Sequence, residues 1–259
     1  MKLYDQHCHS SLSFDSEANP WDYLKHGMDT FVLTDHLDLA NPVTGQDDIP
    51  DFDQYQTWQK EIYEQTGVKM LLGVEVGYAP GQAERLAEVL APYDFDVKLL
   101  SCHHNLREDY MEPESPDTPQ ARMDAYVAQL YEAVTTFEGA QVLTHFDYGF
   151  RIHPEVGSSL LEAHYRDQFV AIFEAMIARE LAFELNSKSI LKYDKKALYE
   201  WAIPLYQDLG GELFSLGSDC HVAEEWMSGF AEMGALLERF GVREVALFEQ
   251  GQVNLVSVS

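Results

Sequence analysis

"VKMLLGVEV", residues 68–76, is a short apolar run flanked by two amphipathic stretches, DFDQYQTWQKEIYEQ before it and AERLAEVLAPY after it. Its length and branched residues read as a buried strand, and the flanks read as helices. Six more such runs lie along the chain: KLYDQH (2–7), TFVLTDH (30–36), FDVKLLSCH (95–103), QVLTHFD (141–147), LAFELN (181–186) and LFSLGSD (213–219). Helical patterns separate them. In RMDAYVAQLYEAVTTF, Met123, Tyr126, Val127, Leu130, Tyr131 and Val134 recur at spacings of three and four, as one buried face requires. Asp194 is placed to cap the helix of KKALYEW, and Gly210 to end it. Seven strand–helix units in strict alternation predict an α/β fold with a parallel sheet covered by helices. No dinucleotide fingerprint is present, which favours a closed or nearly closed barrel over a doubly wound sheet. With no linker or repeat, residues 1–259 read as one domain. Segments 37–52 and 104–118 read as long loops on the side where barrel active sites form. The C-terminal VALFEQGQVNLVSV reads either as packing on the barrel or as a subunit contact.

The net charge of −27, with histidines neutral, leaves no basic footprint for nucleic acid and no polybasic membrane patch. No apolar run approaches a membrane span. Three cysteines without framework spacing argue for a reducing compartment, and MKLYDQHCHS lacks a signal-peptide core, so the expected location is cytoplasmic. Oligomeric state is left open.

Ten histidines are present, and six fall at C-terminal ends of the predicted strands: His7, His9, His36, His103, His145 and His221. Asp15, Asp35, Glu75 and Asp219 accompany them. In a barrel these strand ends converge on one mouth. His7 and His9 share one strand face, and Cys8 points the other way. Glu75 lies in an otherwise apolar run, where an unpaired carboxylate is costly. Imidazole and carboxylate donors suit Zn, Mn or Fe, and their number suggests two or three divalent ions. Cys8, Cys102 and Cys220 each flank a candidate ligand and read as small buried hydrophobes.

DQHCHSSLSFDS, TDH, GVEVG, SCHH, THFDYGFR, FELNSKS and GSDCH, in this order and spacing, resemble the PHP (polymerase and histidinol phosphatase) superfamily over roughly residues 1–235. The resemblance implies a distorted, TIM-like (β/α)7 barrel with a trinuclear metal site at the C-terminal strand ends. It implies that His7, His9, Glu75 and Asp219 hold a first metal, with Glu75 bridging to a second held by His103 and His145. It assigns Asp15, His36 and His221 to a third. Some relatives carry His where this chain has Asp15, which implies a shift toward Mn or Fe there. The adjacent His103 and His104 leave the register open by one, with Ser101-x-His103 the better match and His104 then a substrate or supporting residue.

Within the superfamily the match points to the monofunctional histidinol-phosphate phosphatases. That implies hydrolysis of L-histidinol phosphate, in histidine biosynthesis, by metal-activated water, with His221 and Asp15 as catalytic residues and the third metal, a metal-bound water or His221 helping the alkoxide leave. Arg151 and Lys188 are the expected phosphate cations, although Ile190, Leu191 and Lys192 stand where the family tends to carry an Arg. Asp47, Asp48 or Glu112 are candidates for the substrate's amino and imidazole groups. Ser10, Ser11 and Ser13 have no partner base at fixed spacing and are not read as nucleophiles. The competing readings are a PHP phosphoesterase for nucleotide, sugar or phosphotyrosine esters, a metal-binding module without catalysis, and an amidohydrolase.

Overall fold

The computed structural model describes residues 2–258. β1 (Thr30–Leu33) is followed, after a break at Thr34 and Asp35, by β2 (His36–Asn41), which turns back as the short antiparallel β3 (Gln46–Asp48). β4 (Lys69–Gly77) runs parallel to both β1 and β2, so these two behave as one interrupted strand. β5 (Val97–Ser101), β6 (Val142–Leu143), β7 (Ala182–Asn186) and β8 (Phe214–Gly217) follow in order, each parallel to the one before. Six of the seven expected runs are therefore where the sequence places them.

The first run differs. Residues 2–7 form no regular strand, yet Asp5–His9 lies between both edges of the sheet. Thr34 N donates to Cys8 O (2.7 Å), while His9 N donates to Cys220 O and Asp219 N to His7 O (both 2.9 Å). Asp5 explains the missing ladder. Its buried carboxylate accepts the backbone N–H groups of His7, Ser218 and Met227, donors that a neighbouring strand's carbonyls would otherwise take. The regular sheet runs β3-β2-β4-β5-β6-β7-β8 without closing on itself, and residues 5–9 bridge its ends through a few backbone hydrogen bonds, a distorted form of the expected barrel.

Segment 37–52 is not a loop but mostly the β2–β3 hairpin, in which buried Asp48 accepts from Asn41 and Thr44. The helices are α1 (Pro20–Tyr23), α2 (Phe52–Thr66), α3 (Ala83–Leu90), α4 (Pro119–Thr136), α5 (Ser158–His164), α6 (Arg166–Ala178), α7 (Lys196–Asp208) and α8 (Phe230–Arg239). α4 starts where Thr118 accepts from Ala121 N and Pro119 fits the first turn. Its predicted face is buried except for Tyr131, which is 46% exposed because the covered stripe rotates toward Arg122, Gln129 and Ala133. Asp194 does not cap α7. It sits at φ 54°, and the helix starts after Lys195 without a side-chain cap. Gly210, at φ 96°, does end it.

One apolar core fills the space between sheet and helices. At its centre Phe183 meets Phe146, Phe173, Tyr199, Tyr206 and Phe214 with ring centroids 5.2–6.1 Å apart. β9 (Glu244–Glu249) and β10 (Gln252–Ser257) form an antiparallel hairpin that packs on the barrel. Gln6 donates to Ala246 O (2.8 Å) and accepts from Phe248 N (2.7 Å), and Asp96 accepts from Gln250 N and Gly251 N. No helix among the described residues is long and apolar enough to cross a membrane.

Candidate metal centre

Four polar side chains stand two residues beyond the last residue of a strand: His103 after β5, His145 after β6, Lys188 after β7 and Asp219 after β8. A step of two keeps a side chain on the same side of an extended chain. Glu75 is near the end of β4, directly in register with His36 at the start of β2. His7 and His9 arrive on the closing segment. Nine predicted ligands, from His7 to His221, therefore meet at one end of the barrel.

Glu75 is the centre of the group. Its Oε1 lies 2.7 Å from His145 Nε2 and 3.2 Å from His103 Nε2. Its Oε2 lies 3.0 Å from His36 Nδ1, 3.1 Å from His7 Nε2 and 3.5 Å from His9 Nε2. Asp219 Oδ1 approaches His9 Nε2 (3.5 Å), His7 Nε2 (3.9 Å) and His221 Nδ1 (3.7 Å). Asp219 holds a left-handed backbone at φ 57°, which aims its carboxylate inward. At the rim Asp15 Oδ2 is 2.9 Å from His221 Nε2 and 3.6 Å from His36 Nε2.

The donors fit metal ions. His7 Nε2, His9 Nε2, His36 Nδ1 and Glu75 Oε2 are buried without a hydrogen-bond partner, and buried polar atoms are rarely left so. Sets of three donors, such as His7, His9 and Glu75, or His9, His36 and His221, have their ligating atoms within 4.8 Å of one another. Asp35, the fourth predicted carboxylate, turns away. It accepts from Ser10 N (2.5 Å), Ser10 Oγ and Ser13 Oγ (both 2.6 Å) and from Tyr55.

The electrostatics follow the geometry. Burial disfavours the Glu75 carboxylate, but His7, His103 and His36 outweigh it and hold its pKa well below the usual range. Burial likewise works against the His103 imidazolium, and Asp38 and Glu75 overcome it, raising its pKa to about 10. His9 and His145 go the other way, lowered chiefly by burial.

The centre opens into a cavity of about 180 Å³ lined by Asp15, Met111, Tyr148, Arg151, Lys188 and Tyr193 beside the ligands. Larger surface hollows, such as the one of about 580 Å³ beside Lys69 and Lys98, lack converging ligands. Arg151 is buried, with Nε on Ser189 Oγ (2.9 Å), one terminal nitrogen on Asn186 Oδ1 (2.8 Å), and the rings of Tyr148 and Tyr193 beside it. Lys188 opens a π-helical turn and donates to Asp219 Oδ1 (3.0 Å), with His221 Nδ1 at 2.9 Å.

His104 is buried and not brought to the mouth. Its Nδ1 accepts from Leu106 N (3.2 Å) and its Nε2 lies 3.6 Å from Asp38. Asp47 pairs with Arg85, Asp48 is internal to the hairpin, and Glu112 is exposed, so none lines the cavity. Sequence reasoning missed Asp38, Asp109 and Glu184. Asp38 lies 3.0 Å from His103 Nδ1, Glu184 lies 2.6 Å from His7 Nδ1, and Asp109 accepts from Tyr148 (3.2 Å). Glu184 carried the signal that flagged Glu75, a lone carboxylate inside an apolar strand. Cys8, Cys102 and Cys220 are buried free thiols.

Three comparisons bear on this arrangement. The chain is 28% identical over 255 residues to a probable histidinol-phosphatase of Thermotoga maritima, covering 95% of each protein. It is 25% identical over 264 residues to the histidinol-phosphatase of Lactococcus lactis subsp. lactis, covering 96% of this chain and 95% of that one. In structure it is similar to the Lactococcus lactis histidinol phosphate phosphatase solved with zinc, L-histidinol and phosphate, at a TM-score of 0.85 and 22% identity over 96% of this chain and 98% of that chain. The PHP domain family matches residues 5–188. That match takes in His7, His9, Asp15, His36, Glu75, His103 and His145 together, and on it the chain belongs to the PHP domain family.

Proposed function

We propose that this chain is a metal-dependent phosphomonoesterase that hydrolyses L-histidinol phosphate to L-histidinol and phosphate, the last-named pair matching what the structurally similar Lactococcus protein holds. The observation that carries the reading is Glu75, fully buried and within 3.5 Å of five imidazole nitrogens, several of them without a hydrogen bond. We assign His7, His9, Glu75 and Asp219 to one ion and Glu75, His103 and His145 to a second, of zinc, manganese or iron type. Bound there, such ions polarise phosphoryl oxygens and make water nucleophilic near neutral pH.

The remaining residues bind and orient. Arg151, with Nε fixed by Ser189 and one terminal nitrogen by Asn186, keeps its other terminal nitrogen for phosphate, and Lys188 supplies a second positive charge. The rim trio Asp15, His36 and His221 takes a third ion or, in the hydrogen-bonded form with Asp15, holds a proton at His221 Nε2 for the leaving alkoxide. Counting bound metal decides between the two. Asp109 accepts from the hydroxyl of Tyr148 and so orients that ring in the cavity wall. One domain suffices for all of this, and the three free thiols support a reducing, cytoplasmic setting.

The test is phosphate release from L-histidinol phosphate by zinc- or manganese-loaded protein, beside sugar, nucleotide and phosphotyrosine esters. A kcat/KM of about 10⁴ M⁻¹s⁻¹ or more, well above the others, supports the assignment. Equal or better turnover of another ester overturns the substrate, and no turnover with metal bound overturns the phosphatase.

A further inference from the structure

We propose that Glu184 and Asp38 are positioning residues that hold two ligand imidazoles by their far edges. Glu184 lies on β7 and is buried. Its Oε1 is 2.6 Å from His7 Nδ1, and its Oε2 accepts from His145 N (2.8 Å) and Asn186 Nδ2 (3.1 Å). Asp38 lies on β2, also buried, with both oxygens 3.0–3.1 Å from His103 Nδ1. A carboxylate only accepts, so each Nδ1 carries a proton, and with an ion bound between it and Glu75 each Nε2 gives its lone pair to that ion. Glu184 also fixes the backbone of His145, so one side chain sets the aim of two ligands.

Each pair sits over the last residue of a neighbouring strand, and that residue is glycine. A Cβ at Gly217 would fall on Glu184 Oε1 and on His7 Cβ, and one at Gly77 would fall on Asp38 and crowd His103 Nδ1. Two strands thus end in the one residue that admits a carboxylate–imidazole pair. A carboxylate behind a ligand imidazole fixes its tautomer and raises its basicity, and losing it typically weakens metal binding 10–100-fold.

The inference rests on the metal reading and is independent of the ester. Glu184→Gln and Asp38→Asn keep volume and remove the charge. Zinc affinity is read by competition with a chromophoric chelator, beside the circular dichroism of the metal-free proteins. Each variant is expected to keep the wild-type spectrum and to bind zinc about 10–100-fold more weakly. Folded variants with affinities within about threefold of wild type would overturn the proposal. Should neither fold, long-range ¹⁵N spectra of the zinc-loaded wild-type protein decide: protons on Nδ1 of His7 and His103 are required, and protons on Nε2 refute it. Tight zinc binding without phosphate release counts against the phosphatase and leaves this proposal standing.

Discussion

Replacing Glu75 by Gln tests the centre of the site. The change is nearly isosteric and falls on a side chain with no exposed surface, so it probes charge and ligation rather than packing. One carboxylate oxygen becomes an NH₂ group. If that is Oε2, the nitrogens of His7, His9 and His36, at 3.0–3.5 Å, lose the neighbouring negative charge and any shared ion loses a ligand. If it is Oε1, His103 and His145 do. Removing one partner from a buried charged set costs about 3–5 kcal/mol. At about 1.4 kcal/mol per decade, metal affinity falls by roughly two to three and a half orders of magnitude. The metal-free protein loses less, because His7, His36 and His103 lose the charge that keeps them protonated and return toward neutrality. The assay is metal content after dialysis against a weak chelator, with thermal melts in zinc and in EDTA. Wild-type melts rise with zinc, and the Gln variant's melts do not. A variant that retains its full metal complement within threefold of wild-type affinity would refute the central role of Glu75.

Arg151→Lys loses the fork shared between Ser189 and Asn186, so KM for the phosphate ester rises about tenfold while zinc affinity holds, as steady-state kinetics and chelator competition will report. In the metal-free protein His103 titrates near 10 when folded and near ~6.5 when unfolded, and His7 and His36 are also raised. Their stabilisation is complete below the unfolded value and is lost as pH rises through the folded one. Urea midpoints in EDTA should therefore fall between pH ~6.5 and ~10, and a flat profile contradicts the assignment. Phe183→Ala empties the middle of the aromatic cluster and costs about 3–5 kcal/mol in urea unfolding, with zinc affinity of the folded protein unchanged.

Several positions that meet at the mouth, His103, His145, Lys188 and Asp219, were legible because each follows an apolar run at the same offset, and a parallel sheet turns equal offsets into one place. Helices were legible from their period, as with the 123–134 face, and from the stop at Gly210, whereas Asp194 does not cap α7. What stayed hidden depends on contacts between distant segments. Asp38 lies beyond the expected end of its strand, in a polar stretch that becomes a hairpin only because Asp48 collects Asn41 and Thr44. The irregular first strand traces to Asp5, whose three backbone donors include Ser218 and Met227, more than 200 positions away. His104 and His103 are equivalent by residue type, and only the backbone geometry turns one toward Glu75 and the other toward Leu106 N.

The short seam between Asp5–His9 and Asp219–Cys220, held by two backbone hydrogen bonds, bears on the order of folding. It joins segments some 210 residues apart, among the most entropically costly contacts to close, and offers few hydrogen bonds in return. His7 and His9 stand on one side of it, Asp219 and His221 on the other. The β4–β7 sheet can assemble from nearer neighbours, so the seam is expected to form late. An ion gripped from both sides would then act as a rivet across the weakest joint of the barrel, and chelation would loosen the two ends of the sheet before its middle.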